Sequence, residues 1–295
     1  MALNHPHTVM APSQLRREAE DLAAGVARLI AAAQRLAAAV DPGDHGRRRP
    51  GPGQDFWQYR MHRAEDGARA VDWRRSARSD RLFVRETEWS APQTALFWCD
   101  ARPGMRLAQS PGAAQKCERA AVIALALAVL FSRGGERVGP IVGPAPALGR
   151  LGVERTARAL LTATPPDALN ALVRPRAFVV FASDFYDPID TWAQRLHPWA
   201  AAGARAVLLA VCDPAEEDFP FRGRTRFEAP DGSTQKIFGR AEDVARAYRE
   251  RLAQHRAKLA SLADRFGMTL VSHRTDHQPA PALSAVAAHL ARTRR

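Results

Sequence analysis

From residue 93 to the C-terminus the chain alternates short apolar runs with helically spaced stretches, and nothing else in it constrains the fold as strongly. The runs at 94–99, 137–142, 176–182, 204–211 and 268–272 have the length and continuous hydrophobicity of strands buried on both faces. Stretches 116–132, 153–162, 189–201, 240–266 and 282–291 carry helical spacing. The longest has an apolar stripe of Val244, Tyr248, Leu252, His255, Leu259, Leu262 and Phe266. Between 226 and 238, Asp231-Gly232 marks a hairpin turn. Alternation of this kind predicts an α/β fold, a doubly wound and mainly parallel sheet with helices on both faces. Such sheets bind ligands beyond the carboxyl ends of their strands, where Asp100, Asp184 and Asp213 all fall.

The first 92 residues follow other rules. Leu15, Leu22, Leu29 and Leu36 recur every seven residues, with Ala19, Val26, Ala33 and Val40 between them, so 14–40 is a long helix stopped by Asp41-Pro42-Gly43. The small Ala at alternate seam positions favours close packing on the protein's own body over a coiled coil with a partner. Residues 44–53, rich in Gly, Pro and Arg, form a linker, and 56–88 holds short alternating segments of a small β-rich element. The expected organisation is a leader and helix over 1–43, linker and β-rich element over 44–92, and the α/β domain over 93–295.

Composition narrows the function classes. The longest apolar run, 120–131, is shorter than the ~20 residues of a membrane span. Residues 1–20 lack the apolar core of a secretory signal, and Cys99, Cys117 and Cys212 make no disulfide framework. A cytoplasmic, membrane-free protein is expected. The formal net charge of +12 invites nucleic acid, and 47–85 holds eleven Arg against five acidic residues. Only three of the 43 basic residues are Lys, however, beside 58 Ala, which is the mark of a GC-rich coding bias. The aromatics of that segment are too few and too irregular for a base-stacking platform. His5 and His7, and likewise His273 and His277, lack a third ligand at zinc spacing. No nucleophile elbow, phosphate loop or dinucleotide fingerprint occurs.

A longer constellation resembles a known family. Gly53, Asp55-Phe56, Arg60, Arg69, Asp72-Trp73, Ser76, Arg78, Leu82, Val84-Arg85-Glu86 and Glu88 are similar to the signature of the bacterial "domain of unknown function 58" family. The likeness continues through Ser183-Asp184-Phe185, Asp213-Pro214 with Glu216 or Glu217, Pro220, Gly223 and Tyr248. It implies a von Willebrand factor A-like domain carrying a small β-rich N-terminal element. It also implies a protein partner, a MoxR-type AAA+ ATPase with which such proteins assemble or activate other complexes, and no enzymatic reaction. Asp72-Trp73 would be a partner-contact or domain-locking element, or equally a buried Trp beside a capping Asp. Two departures stand out in this segment: Glu65-Asp66-Gly67 replaces a Gly-Asp-Asp turn, and His62 replaces a Tyr.

A-type domains hold a divalent metal through Asp-x-Ser-x-Ser after the first strand. The matching residues here are Asp100-Ala101-Arg102-Pro103-Gly104, with Asp184 as the second acid and Thr156 or Thr162 as candidates for a third ligand. Arg102 and Gly104 replace both hydroxyls. A guanidinium coordinates no Mg²⁺ but stays charged, so Arg102 is expected to pair with Asp100 and Asp184 in the ion's place. Two other readings stay open: Arg102 turned to solvent, or a residual Mg²⁺ on Asp100 and Asp184. The expected function is a non-enzymatic adaptor or assembly factor with Asp100, Arg102, Gly104 and Asp184 along a partner-facing crevice and no cofactor. Its rivals are a Mg²⁺-dependent adhesion domain and an Arg-rich nucleic-acid binder.

Overall fold

The structure, a computed structural model, describes residues 12–40, 50–63, 65–88, 93–108, 113–162 and 164–292. Helix α1 (Pro12–Ala38) comes first, followed by β1 (Pro50–Met61), the one-turn α2 (Trp73–Ser76) and β2 (Phe83–Glu88). Then come β3 (Thr94–Cys99), α3 (Lys116–Arg133), β4 (Arg137–Pro140), α4 (Gly149–Leu161), β5 (Phe178–Ser183), α5 (Ile189–Ala201) and β6 (Arg205–Cys212). The chain ends with α6 (Pro214–Asp218), β7 (Thr225–Glu228), β8 (Gln235–Phe238), α7 (Glu242–Arg265), β9 (Thr269–Arg274) and α8 (Pro279–Arg292). Among the described residues no helix is long and apolar enough to cross a membrane.

Five strands form one parallel sheet in the order β4-β3-β5-β6-β9. The apolar runs of the sequence are its centre: all six residues of β5 are buried, as are five of six in β3. One face is covered by α1, α3, α4 and α8, with Phe97, Val180, Val207 and Leu209 pointing into that layer. The other is covered by α5 and α7, where Trp98, Phe181, Trp192, Trp199 and Leu262 meet. Large aromatics on this side compensate for the Ala-rich helices opposite, since each buries far more area than an Ala.

Helix α1 lies against α3 and α4 rather than projecting, with Val26, Leu29, Ala33, Leu36 and Ala37 buried in the same core. From Val26 onward the heptad pattern is therefore a packing stripe on the chain's own body, while Leu22 is exposed and Leu15 and Ala19 have no described side-chain surroundings.

The β-rich element is an antiparallel pair, β1 with β2, extended by a bridge between Val71 and Val84. Its strand starts earlier than expected. Pro50 and Gly51 pair with Glu88 and Thr87 across a bulge, so 50–53 belongs to β1 and not to a linker; residues 44–49 lie outside the described part. Proline and glycine are admitted here because β1 is an edge with a register shift.

Strand order reverses at β3. The chain leaves it for β4 on one side and returns to β5 on the other, opening a crevice beyond the carboxyl ends of β3 and β5.

Candidate functional site

Asp100 follows β3 and is 1% exposed. Its carboxylate accepts from the Arg102 backbone N–H (3.0 Å), from Arg102 Nε (3.0 Å) and Nη2 (2.7 Å), and from the Ser183 hydroxyl (2.8 Å). Pro103 starts a short 3₁₀ turn over Pro103–Arg106, which folds Arg102 back toward Asp100. The other edge of the Arg102 guanidinium reaches Asp187, with Nη1 2.8 and 2.9 Å from its two oxygens. Asp187 in turn accepts from Arg195 Nη1 at 2.5 Å, and Arg195 also binds Asp167. Burial pushes the Asp187 carboxyl up, but Arg102 and Arg195 outweigh it and hold it below the usual range.

Arg102 is thus a built-in cation, but for Asp100 and Asp187, and not for Asp184 as the sequence suggested. The reason is local. Phe185 takes left-handed backbone (φ 57°) immediately after Asp184, sending Asp184 toward one side of the crevice and Asp187 toward the other.

Asp184 has its own cation. Lys116, the first residue of α3 and fully buried, places Nζ 2.9 Å from Asp184 Oδ2 and 2.6 Å from Glu216 Oε1. Its ammonium also lies 5.1 Å from the Tyr186 ring centroid. A positive charge at a helix N-terminus opposes the helix dipole, and burial adds to the cost. Burial pulls the ammonium toward neutrality, yet the two carboxylates prevail and its pKa is raised. Burial dominates for Glu216, whose carboxyl is pushed up despite Lys116. Asp213, the third strand-end acid, caps α6: its carboxylate accepts from the Ala215 N–H, while the Glu216 carboxylate accepts from the Asp213 N–H, a capping box that points Glu216 at Lys116.

Magnesium wants about six oxygen ligands near ~2.1 Å in octahedral array. These carboxylates are already committed to a guanidinium, an ammonium, a hydroxyl and backbone N–H groups. Thr156 and Thr162 bond carbonyls of their own helix, Gly152 and Arg158. Among the described residues no cluster of three or more His, Cys, Asp or Glu could hold a metal. As arranged here, both acids of the expected site already hold resident cations, Asp100 with Arg102 and Asp184 with Lys116.

Beside the charged floor a groove of about 1250 Å³ runs under the β7–β8 hairpin, between α6 and α7. Its wall is aromatic: Phe219 lies 5.2 Å from Phe221, 5.6 Å from Phe227 and 4.8 Å from Tyr248, and Phe227 is 5.8 Å from Phe238. The hairpin turn falls where Asp231-Gly232 placed it, with Gly232 at φ 71°. Gly104 belongs to this crevice too, since a Cβ there would touch Asp184 at 3.6 Å and Pro230 at 3.7 Å.

The remaining signature residues lie in the β-rich element. Arg60 makes a two-pronged pair with Asp66 (2.5 and 2.6 Å), which also accepts from the Arg63 N–H; these bonds hold the Asp66 carboxyl well below its ordinary range. Asp72 caps α2 through the Arg75 N–H, and the Ser76 hydroxyl ties Asp72 to Phe83. Asp72 is thus the capping residue of one reading, but its neighbour Trp73 is 61% exposed and not a buried Trp. Arg69 and Arg78 are exposed. Asp55, Phe56 and Glu86 are described only as strand backbone, and His5 and His7 lie outside the described residues.

Lys116 and Asp187 escaped the sequence reading. The signal for Lys116 was there: it is one of three lysines in an Arg-biased chain, four positions before the start of the longest apolar run.

A five-stranded parallel α/β sheet, a switch-point crevice and an appended β-rich element define the class of molecule. The chain belongs to the family described as "Protein of unknown function DUF58", whose profile matches residues 58–258. It is similar to the uncharacterized proteins Rv1480 of Mycobacterium tuberculosis (strain H37Rv) and Mb1516 of Mycobacterium bovis. Each is 30% identical over 298 residues, covering 92% of this chain and 91% of the relative.

Proposed function

We propose that this protein is a non-enzymatic interaction module with a von Willebrand factor A-like domain. In this reading it works in the cytoplasm as an adaptor or assembly factor for a MoxR-type AAA+ ATPase. One observation carries the proposal: the acids at the switch point are neutralised by resident side chains, Arg102 and Lys116, next to a wide aromatic groove. An acid pair spent on internal cations has no free base or nucleophile to offer a substrate, yet it fixes the shape of the crevice. A half-buried aromatic wall supplies the anchoring area on which protein interfaces depend. The ATPase partner and the A-like assignment rest on the family resemblance, since a fold alone does not set a function.

The test is co-purification of the full chain with the MoxR-type ATPase of the same genome, with and without EDTA. Association is expected to survive EDTA and to fall at least about tenfold in Phe227→Asp, which places a charge in the aromatic wall. Binding that requires Mg²⁺, or that ignores Phe227→Asp, overturns the reading.

A further inference from the structure

The β-rich element carries a second surface unrelated to the crevice. Register places Tyr59 and Met61 of β1 on one side of the pair, with Phe83 opposite Met61, while Arg60, Val84 and Val71 face the other side. On the Tyr59 side the Arg75 guanidinium lies 5.3 Å from the Tyr59 ring centroid and 5.7 Å from that of Phe83. Arg81 Nη1 lies 3.7 Å from Met61 Sδ. Tyr59 is 39% and Met61 54% exposed, and Trp73, two residues before Arg75, is the most open large hydrophobic residue described. Arg69, Arg74, Arg75, Arg78 and Arg81 have no carboxylate partner among the described residues.

We propose that this face docks an acidic segment of a protein partner, one with apolar side chains set among its carboxylates. Three features select that occupant. Guanidinium groups without a carboxylate partner supply the complementary charge, and their planar forks match carboxylates two-pronged. Arg, Trp, Tyr and Met are the residues enriched at protein-interface cores. Finally, the Arg75 guanidinium already lies over the Tyr59 and Phe83 rings, so a base stacking on those two rings would have to displace it.

Fluorescence anisotropy of the full chain tests this with three labelled probes: a peptide repeating Glu-Glu-Leu, its Gln-Gln-Leu counterpart, and a short oligothymidylate. At low salt the acidic peptide is expected to bind, with the Gln peptide and the oligonucleotide at least about tenfold weaker. The double variant Arg75→Glu/Arg81→Glu is expected to lose binding by a similar factor. Arg74→Glu/Arg78→Glu, which leaves the ring and sulfur contacts intact, should weaken it in the same direction. Arg251→Glu, on α7 where it lines the groove under the β7–β8 hairpin, should leave it unchanged. An oligonucleotide bound more tightly than the peptide replaces the protein partner with nucleic acid and overturns the proposal. So does a silent acidic peptide, or a loss that follows Arg251→Glu instead of the β-rich element.

Discussion

Replacing Lys116 by Met removes one buried cation from between two carboxylates while keeping most of the side chain's volume. Each contact, taken at about 4 Å between charge centres and an effective dielectric near 20, is worth about 4 kcal/mol gross. Two are lost with the 2.9 Å and 2.6 Å bonds to Asp184 and Glu216. Against that, the variant no longer bears the several kcal/mol of desolvating an ammonium. Stranding a buried partner costs about 3–5 kcal/mol on balance, and that is the loss expected in urea denaturation at pH 7.5. The pH dependence identifies the cause. Without Lys116 the Glu216 carboxyl, already raised, rises further in the folded state, so the folded form binds more protons than the unfolded chain. Stability lost at pH 7.5 therefore returns as pH falls toward the ordinary carboxylate value near 4.5. A variant as stable as wild type, or a deficit equal at pH 7.5 and 5, refutes the idea that Lys116 is held as a counter-charge.

Other expectations concern the metal question, acid stability and packing. Titration calorimetry with Mg²⁺ or Mn²⁺ should be silent for wild type and also for Arg102→Ser, because Lys116 still occupies Asp184 in that variant. Micromolar heats from Arg102→Ser would show that Arg102 alone excludes the ion. His273 is 4% exposed, and burial first, then Arg119, lowers its pKa from near 6.5 to about 4. Its contribution is complete above pH 6.5 and is lost as pH falls toward 4, about 3 kcal/mol in all. His273→Gln should flatten the stability profile in that window, and an unchanged slope would contradict this. In Gly152→Ala, a Cβ would overlap the Ala147 carbonyl and stand 2.7 Å from the Val138 carbonyl, both backbone atoms that yield little. A loss of about 1–3 kcal/mol is expected in thermal or urea unfolding. A neutral result would mean that α4 can slide on β4.

The alternation after residue 93 determined the sheet and its helices because fully buried parallel strands must be apolar throughout, and that property is written locally. Helix 189–201 is read to the residue, and β3 likewise. The same logic placed Asp100 and Asp184 at strand ends, and Asp231-Gly232 named its own turn. Which cation meets which acid was not local. Lys116 and Asp184 are 68 positions apart, and Arg102 and Asp187 are 85 apart. Their meeting depends on how β3 and β5 come together at the switch point, and on a left-handed Phe185 that parts Asp184 from Asp187. The heptads of α1 show the same divide. Their spacing fixed an apolar stripe, but only the Ala-rich face of α3 and the neighbouring α4, brought alongside by the sheet, decided that the stripe would be buried within this chain from Val26 onward.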